Sequence, residues 1–212
     1  YPVIFGVDRS GLVGADGETH QGIFDLSYLS SIPNLTIMAP KNKWELSDML
    51  KFAIAADYPV AIRYPRGDAC DLWREMRAPI VQGRSEVLCE GTDVALFAIG
   101  TMVETAWKVK EQLAEREITA TVVNARFMAP LDEKEILSAA EKCPLIVTME
   151  ENVVSGGFGE HIAALLKEHE AKAKMLPVAI ENRFVEHGDV ETLRRVLGID
   201  EKTITDRICE EL

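Results

Sequence analysis

No run of this sequence comes near the roughly 20 consecutive apolar residues that a membrane-spanning helix needs, and no basic-plus-apolar segment opens it. Neither a membrane partner nor a membrane-embedded fold is expected. Internal repeats and low-complexity tracts are also missing, which argues against a solenoid. Cysteine is scarce: the four at Cys70, Cys89, Cys143 and Cys209 form no CxxC pair and no metal-type spacing. They read as reduced packing thiols of a cytoplasmic protein, and no metal ligands are expected among them. Basic side chains are in short supply, 23 against 35 acidic ones for a net charge of -12. Such a surface repels nucleic-acid backbones and anionic bilayers, so nucleic acid is not an expected partner. A small anionic substrate needs only a few arginines gathered in one place.

What is present is a core-forming composition, 47% hydrophobic over 212 residues, enough for one large domain or two small ones. The chain opens at Tyr1, without methionine and almost at once in a strand, as expected of a piece of a longer protein. Its most distinctive stretch follows directly: Asp8-Arg-Ser-Gly-Leu-Val-Gly-Ala-Asp-Gly-Glu-Thr-His-Gln-Gly, a strand emptying into a polar, glycine-dense loop. Ligands of open α/β sheets sit beyond the carboxyl ends of strands, and glycines let backbone approach them closely.

Periodicity predicts a short helix over 25–31 with Asp25 as N-cap, a strand over 34–39 and an amphipathic crossover helix over 42–56. A strand over 59–64 follows, ending at Pro65-Arg66-Gly67, which exposes an arginine at a second strand end. Residues 68–79 lose all period and carry the boundary between units 1–78 and 79–212. Beyond it, strands over 85–89 and 94–99 flank a turn, and a helix runs from Thr101 to Arg116, with Thr101 and Glu104 at capping-box spacing. Strands over 118–124, 144–149 and 175–180 alternate with helices over 132–142 and 157–169, and two helices over 190–197 and 202–212 close the chain. This alternation implies a mostly parallel sheet covered on both faces. Trp44, Trp73 and Trp107 have no cage-like spacing and read as core or interface groups.

Five segments in order, the glycine-dense loop, Phe24-Asp-Leu-Ser-Tyr-Leu, Arg63-Tyr-Pro-Arg-Gly, Arg126-Phe-Met-Ala-Pro-Leu-Asp and Glu150-Glu-Asn-Val-Val-Ser-Gly-Gly-Phe-Gly, resemble the 1-deoxy-D-xylulose-5-phosphate synthase family. The resemblance covers essentially the whole chain but only the C-terminal part of that enzyme. It implies an α/β fold: half of a thiamine-diphosphate pyrimidine-binding domain over 1–78, then a transketolase C-terminal-like three-layer α/β/α domain over 79–212. It also implies a homodimeric transferase that condenses pyruvate with D-glyceraldehyde 3-phosphate, releasing carbon dioxide, on the way to isoprenoid, thiamine and pyridoxal precursors. Thiamine diphosphate is the electron sink of that reaction and Mg2+ its companion. Their ligands are expected ahead of Tyr1, so the 212 residues alone are expected neither to bind the cofactor tightly nor to turn over.

On the family pattern Asp16 and His20 lie beside the reacting carbons, and Arg9 and Arg66 hold the substrate phosphate, which a guanidinium fork matches. Asp8, Arg63 and His187 read as structural. So does the segment over 150–159, whose paired glutamates would repel a phosphate. Two further readings stay open: another thiamine enzyme of the same layout, such as a transketolase or a 2-oxo-acid dehydrogenase β chain, and a non-enzymatic dimerisation or regulatory module. The synthase reading requires the glycine-dense loop and the Pro65-Arg66-Gly67 corner to meet in space.

Overall fold

The computed structural model describes residues 1–67 and 70–212. Asp68 and Ala69, the first residues of the aperiodic stretch, lie outside the described residues. The first unit carries β1 (Ile4–Val7), α1 (Asp25–Ser30), β2 (Thr36–Met38), α2 (Lys43–Ala55) and β3 (Val60–Arg63). The second carries β4 (Glu86–Cys89), β5 (Val94–Ala98), α3 (Met102–Ala114), β6 (Ala120–Asn124), β7 (Phe127–Ala129), α4 (Glu133–Lys142), β8 (Leu145–Val153), α5 (Phe158–Glu168), β9 (Lys174–Ile180), α6 (Val190–Leu197) and α7 (Glu201–Glu211).

Two sheets result, with strand orders β1-β3-β2-β7 and β4-β6-β5-β8-β9. The α/β alternation holds, with three departures. β4 pairs antiparallel with β6 rather than lying beside β5, so the larger sheet has one antiparallel edge. β7, a short strand not expected from the sequence, pairs antiparallel with β2 and so joins the second unit to the first sheet. β8 continues past Met149 to Val153 and takes the paired glutamates into its interior.

The period-two rule explains how the layers stack. Val94, Leu96 and Ala98 of β5 face a core with Met102, Val109 and Leu113 of α3 and Ile204 and Ile208 of α7. Ala95 and Phe97 face the opposite core, which holds Ile136 of α4 and Ile162 of α5 together with Leu26, Ile37 and Ala61 from the first unit. The second core is therefore shared between the two sheets. On the far side of the smaller sheet Met38, Val60 and Ile62 meet Met49 and Ala53 of α2. Each such aliphatic or aromatic side chain contributes about 1.5–3 kcal/mol by leaving water.

Helix starts are set by short acceptors. The Asn42, Asp132, Asp189 and Asp200 side chains each accept from a backbone N–H three residues on. Two expected caps do not form. Asp25 is not the N-cap of α1; Phe24 takes that position, and the Asp25 carboxylate accepts from Arg63 Nε at 3.3 Å and from the Tyr28 hydroxyl at 3.2 Å. Thr101 holds the N-cap position of α3, as expected, but makes no capping bond; its hydroxyl donates to Glu151 Oε2 at 3.2 Å, and Glu104 pairs with Lys108 instead. A buried charge outbids a local backbone bond in both places, because leaving it unpaired costs more.

One buried ionic cluster joins the units. Lys41 Nζ reaches Glu45 Oε1 at 3.1 Å and Glu86 Oε2 at 2.5 Å, and Arg126 Nε reaches Glu45 Oε1 at 2.8 Å. Arg126 also pairs with Glu86 and donates to the Pro79 and Ala78 carbonyls, while Asn124 Nδ2 donates to both glutamates. Removing one partner strands the others without water. Glu45→Ala is expected to lose about 3–5 kcal/mol of unfolding free energy in urea. A loss below about 1 kcal/mol, the scale of a solvated pair, would contradict this account.

Candidate active site

β1 and β3 are parallel neighbours with Val7 opposite Arg63, so the segments that leave them emerge side by side. Ser10 N–H donates to the Tyr64 carbonyl at 3.0 Å, continuing the pairing past both strand ends. Residues 8–22 then leave as a loop whose base is closed by the bonds from Gly11 N–H to Gly22 O and from Gly22 N–H to Arg9 O, both 2.9 Å. Its Leu12 is buried, and so is Ile23 just beyond it; both sit in the core formed with α3 and β8, so the loop is rooted in the second unit.

Asp16 lies between two arginines. One carboxylate oxygen accepts from Arg66 Nη1, and the other pairs with Arg9 Nε at 3.1 Å; Arg9 Nη1 also meets Asp8 at 2.9 Å. The Arg66 hydrogen bond, against a smaller desolvation effect and with Arg9 adding to it, holds the Asp16 carboxyl below the usual carboxylate range. The same bond raises the already high pKa of Arg66. Loop and corner thus meet, and Arg9, Asp16 and Arg66 form one cluster at the carboxyl ends of β1 and β3. His20 is exposed on the same loop; its amide donates to the Gly17 carbonyl at 3.2 Å, and its Nδ1 lies 2.8 Å from the Thr19 hydroxyl rather than on the cluster.

Arg63 is buried and donates to Asp25, to the Gly22 carbonyl at 2.7 Å and to the Glu151 carbonyl at 2.8 Å. It ties loop, helix and second sheet together and is spent on that. Beside Arg66, between the carboxyl ends of the two sheets, lies a cavity of about 460 Å³ lined by Lys43, Tyr64, Arg66, Thr101, Glu151 and Arg194 among others. That volume suits a small metabolite. A wider depression of about 630 Å³ over Asp48, Arg74 and Arg77 is an open charged surface that shares no residue with the loop.

Glu151 belongs to the segment read as structural, whereas spacing alone gave no role to Gln21 or Arg194. Glu151 accepts from Arg194 Nε at 2.6 Å and from Thr101, and Gly11, with φ +71, lies directly on it; a Cβ at Gly11 would overlap its carboxylate. The crevice at the carboxyl end of the larger sheet, where β5 sends its helix to one face and β8 to the other, is therefore filled by the glycine loop. The second unit offers that loop a floor rather than a ligand site of its own.

Glu150 takes up the glycine-led start of α5. Its carboxylate accepts from Phe158 N–H and Gly159 N–H, both at 2.8 Å, so the amides that would cradle an anion are taken. Among the described residues no group of three or more His, Cys, Asp or Glu side chains could hold a metal ion, and no helix is long and apolar enough to cross a membrane. Burial pushes the Glu150 carboxyl up to about 7, against the pull of those two amides and Arg63. The folded protein then keeps a proton that the unfolded chain has released between pH 4.5 and about 7. Stability contributed by this group falls as pH rises through that window. Glu150→Gln is therefore expected to gain stability relative to the parent protein between pH 4.5 and 7 in urea unfolding; parallel pH profiles would contradict the assignment.

Two family models match the chain: the transketolase pyrimidine binding domain over residues 1–70 and the transketolase C-terminal domain over residues 83–204. It is 49% identical over 211 residues to the 1-deoxy-D-xylulose-5-phosphate synthase of Lachnoclostridium phytofermentans, covering 99% of this chain and 34% of the relative. The synthase of Caldanaerobacter subterraneus subsp. tengcongensis is 46% identical over the same shares. The chain thus spans about a third of the length of the curated relatives it matches. Among solved structures, a split gene transketolase described as an inactive β4 tetramer superposes with a TM-score of 0.88 at 26% identity, covering 98% of this chain and 66% of that one. The transketolase of Campylobacter jejuni gives 0.72 at 21% identity over 98% of this chain and 31% of that one, a likeness of fold.

Proposed function

The chain belongs to the transketolase family, and from that membership we propose that it is the C-terminal third of a 1-deoxy-D-xylulose-5-phosphate synthase. In this reading the whole enzyme condenses pyruvate with D-glyceraldehyde 3-phosphate with loss of carbon dioxide. The observation that carries it is the Arg9–Asp16–Arg66 cluster at two adjacent strand ends, beside a cavity of metabolite size. Sequence identity to synthases well above that to the solved transketolases favours this reading over the other thiamine enzymes.

Arg9 and Arg66 take the phosphate of the aldehyde substrate: two guanidiniums converge from different strands, and each offers paired N–H donors. Asp16 stays ionised between them and, with His20, stands beside the reacting carbons. His20, exposed on the loop, is free to exchange protons with substrate hydroxyls. Thiamine diphosphate and Mg2+ are the proposed cofactors of the whole enzyme. The residues present here do not fit their diphosphate and metal end, since Glu150 occupies the helix start and no metal-ligating group is formed among the described residues. Those ligands belong to the rest of the enzyme, and the 212 residues act on the aldehyde side of the reaction.

With the N-terminal two thirds joined, Arg66→Met is expected to raise KM for glyceraldehyde 3-phosphate by roughly 10- to 150-fold, the worth of a lost charge-assisted bond. KM for pyruvate should stay unchanged; an equal rise in both would sink the phosphate assignment. Alone, the chain is expected to be inactive, as the split gene transketolase tetramer is described to be. It is also expected to self-associate through β1, an unpaired sheet edge with Ile4 and Phe5 exposed. Sedimentation of a monomer at high concentration would count against that.

A further inference from the structure

Gln21 is buried, although it stands in a polar loop next to the exposed His20. Its carboxamide bridges two segments: Oε1 accepts from Val13 N–H at 3.3 Å, and Nε2 donates to the Val185 carbonyl at 2.6 Å and the Glu186 carbonyl at 3.3 Å. Two carbonyls on one side and an N–H on the other fix which end is oxygen and which nitrogen. The first bond closes residues 13–21 into a hoop with Asp16 and His20 on it, and within the hoop Asp16 N–H donates to Val13 O at 2.9 Å. The other bonds hang that hoop on the turn over 185–188 of the second unit. Gly14 adds a second attachment: its carbonyl accepts from Gly188 N–H at 2.9 Å, and a Cβ at residue 14 would collide with the Gly188 carbonyl.

We propose that Gln21 is a positioning residue. It sets where Asp16 and His20 stand relative to Arg9 and Arg66, so that the C-terminal unit, which supplies none of these four side chains, controls turnover through the turn over 185–188. The inference rests on the reading of the loop as the site of aldehyde binding. Arg66 enters from β3 and makes no bond to the hoop apart from Asp16. Loosening the hoop therefore acts on kcat more than on substrate capture.

Two substitutions in the full-length enzyme test this. Gln21→Met keeps the volume and removes every hydrogen bond; kcat is expected to fall by about a hundredfold, the cost of misplacing reacting groups by an ångström. Gln21→Glu keeps the shape. As a carboxylate it faces two carbonyls, but once protonated its O–H can donate to Val185 and its C=O can accept from Val13, and burial raises the pH at which that happens. The kcat of Q21E relative to the parent should therefore climb on acidification, while Q21M stays low at every pH. The other ionisable groups on the two facing segments, the half-buried Asp16 and the exposed Glu18, His20, Glu186 and His187, are present in all three proteins, so they cancel in that ratio. Parent-like kcat in Q21M, or a pH-independent ratio for Q21E, would overturn the proposal.

Hydrogen exchange at the Val13 amide in the 212-residue chain separates the clamp from the reaction. Protection in the parent and its loss in Q21M supports the clamp whether or not the whole enzyme carboligates; unchanged protection overturns it. A clamp that survives while the parent enzyme fails to join pyruvate to the aldehyde would remove the catalytic role alone.

Discussion

Two acids and two bases shut away from water decide how the halves of this molecule meet. Lys41 and Glu45 come from the start of α2, Glu86 from β4 and Arg126 from the exit of β6. Such a cluster adds little net stability, since desolvating four charges consumes most of what their attraction returns. Its effect is geometric. Any other docking of the sheets would leave at least one charge buried without a partner, a penalty of about 3–5 kcal/mol set against a domain stability of about 5–15 kcal/mol. Burial pushes the Glu86 carboxyl up, yet the Lys41 bond and the Arg126 charge win and hold it below its ordinary range. Glu86 is therefore ionised at neutral pH, and the cluster works as a lock.

With the sheets so fixed, their carboxyl ends open toward one another. The smaller sheet sends out residues 8–22, and the larger receives Leu12 in its core and Gly11 on Glu151. Glycine is required at 11 and 14 because backbone, not side chain, lies against Glu151 and the turn over 185–188. The loop is thus a shared part of both units, and its polar tip inherits the rigidity of two cores. Placing reacting groups on loops with such supports is how α/β folds combine a stable scaffold with adaptable chemistry.

Charge follows the same division. A chain of net charge -12 repels anions at long range, yet Arg9 and Arg66 converge on one point. Asp16 offsets them, and both guanidiniums remain partly exposed. Arg63, the third arginine of the region, is buried and held by three bonds to Asp25, Gly22 and Glu151.

Periodicity and turn chemistry were enough to read the α/β alternation, while the five motifs that resemble the synthase family carried the family and the expected meeting of the loop with the Pro65-Arg66-Gly67 corner. All of these are local in the chain or carried by compact motifs. What lay beyond the sequence was the partner of each buried polar group. Asp25 and Thr101 look like caps until Arg63 and Glu151 claim them; Glu150 and Glu151 look like an exposed strand end until β8 carries them inside; Gln21 looks like loop until Val185 meets it. β7 is too short to announce itself, and β4 pairs with β6 only because the second sheet has an open edge there. Burial, which follows from the packing of segments far apart in sequence, sets the cost of leaving a charge or amide unpaired, and so only the assembled fold decided which partner each of them took.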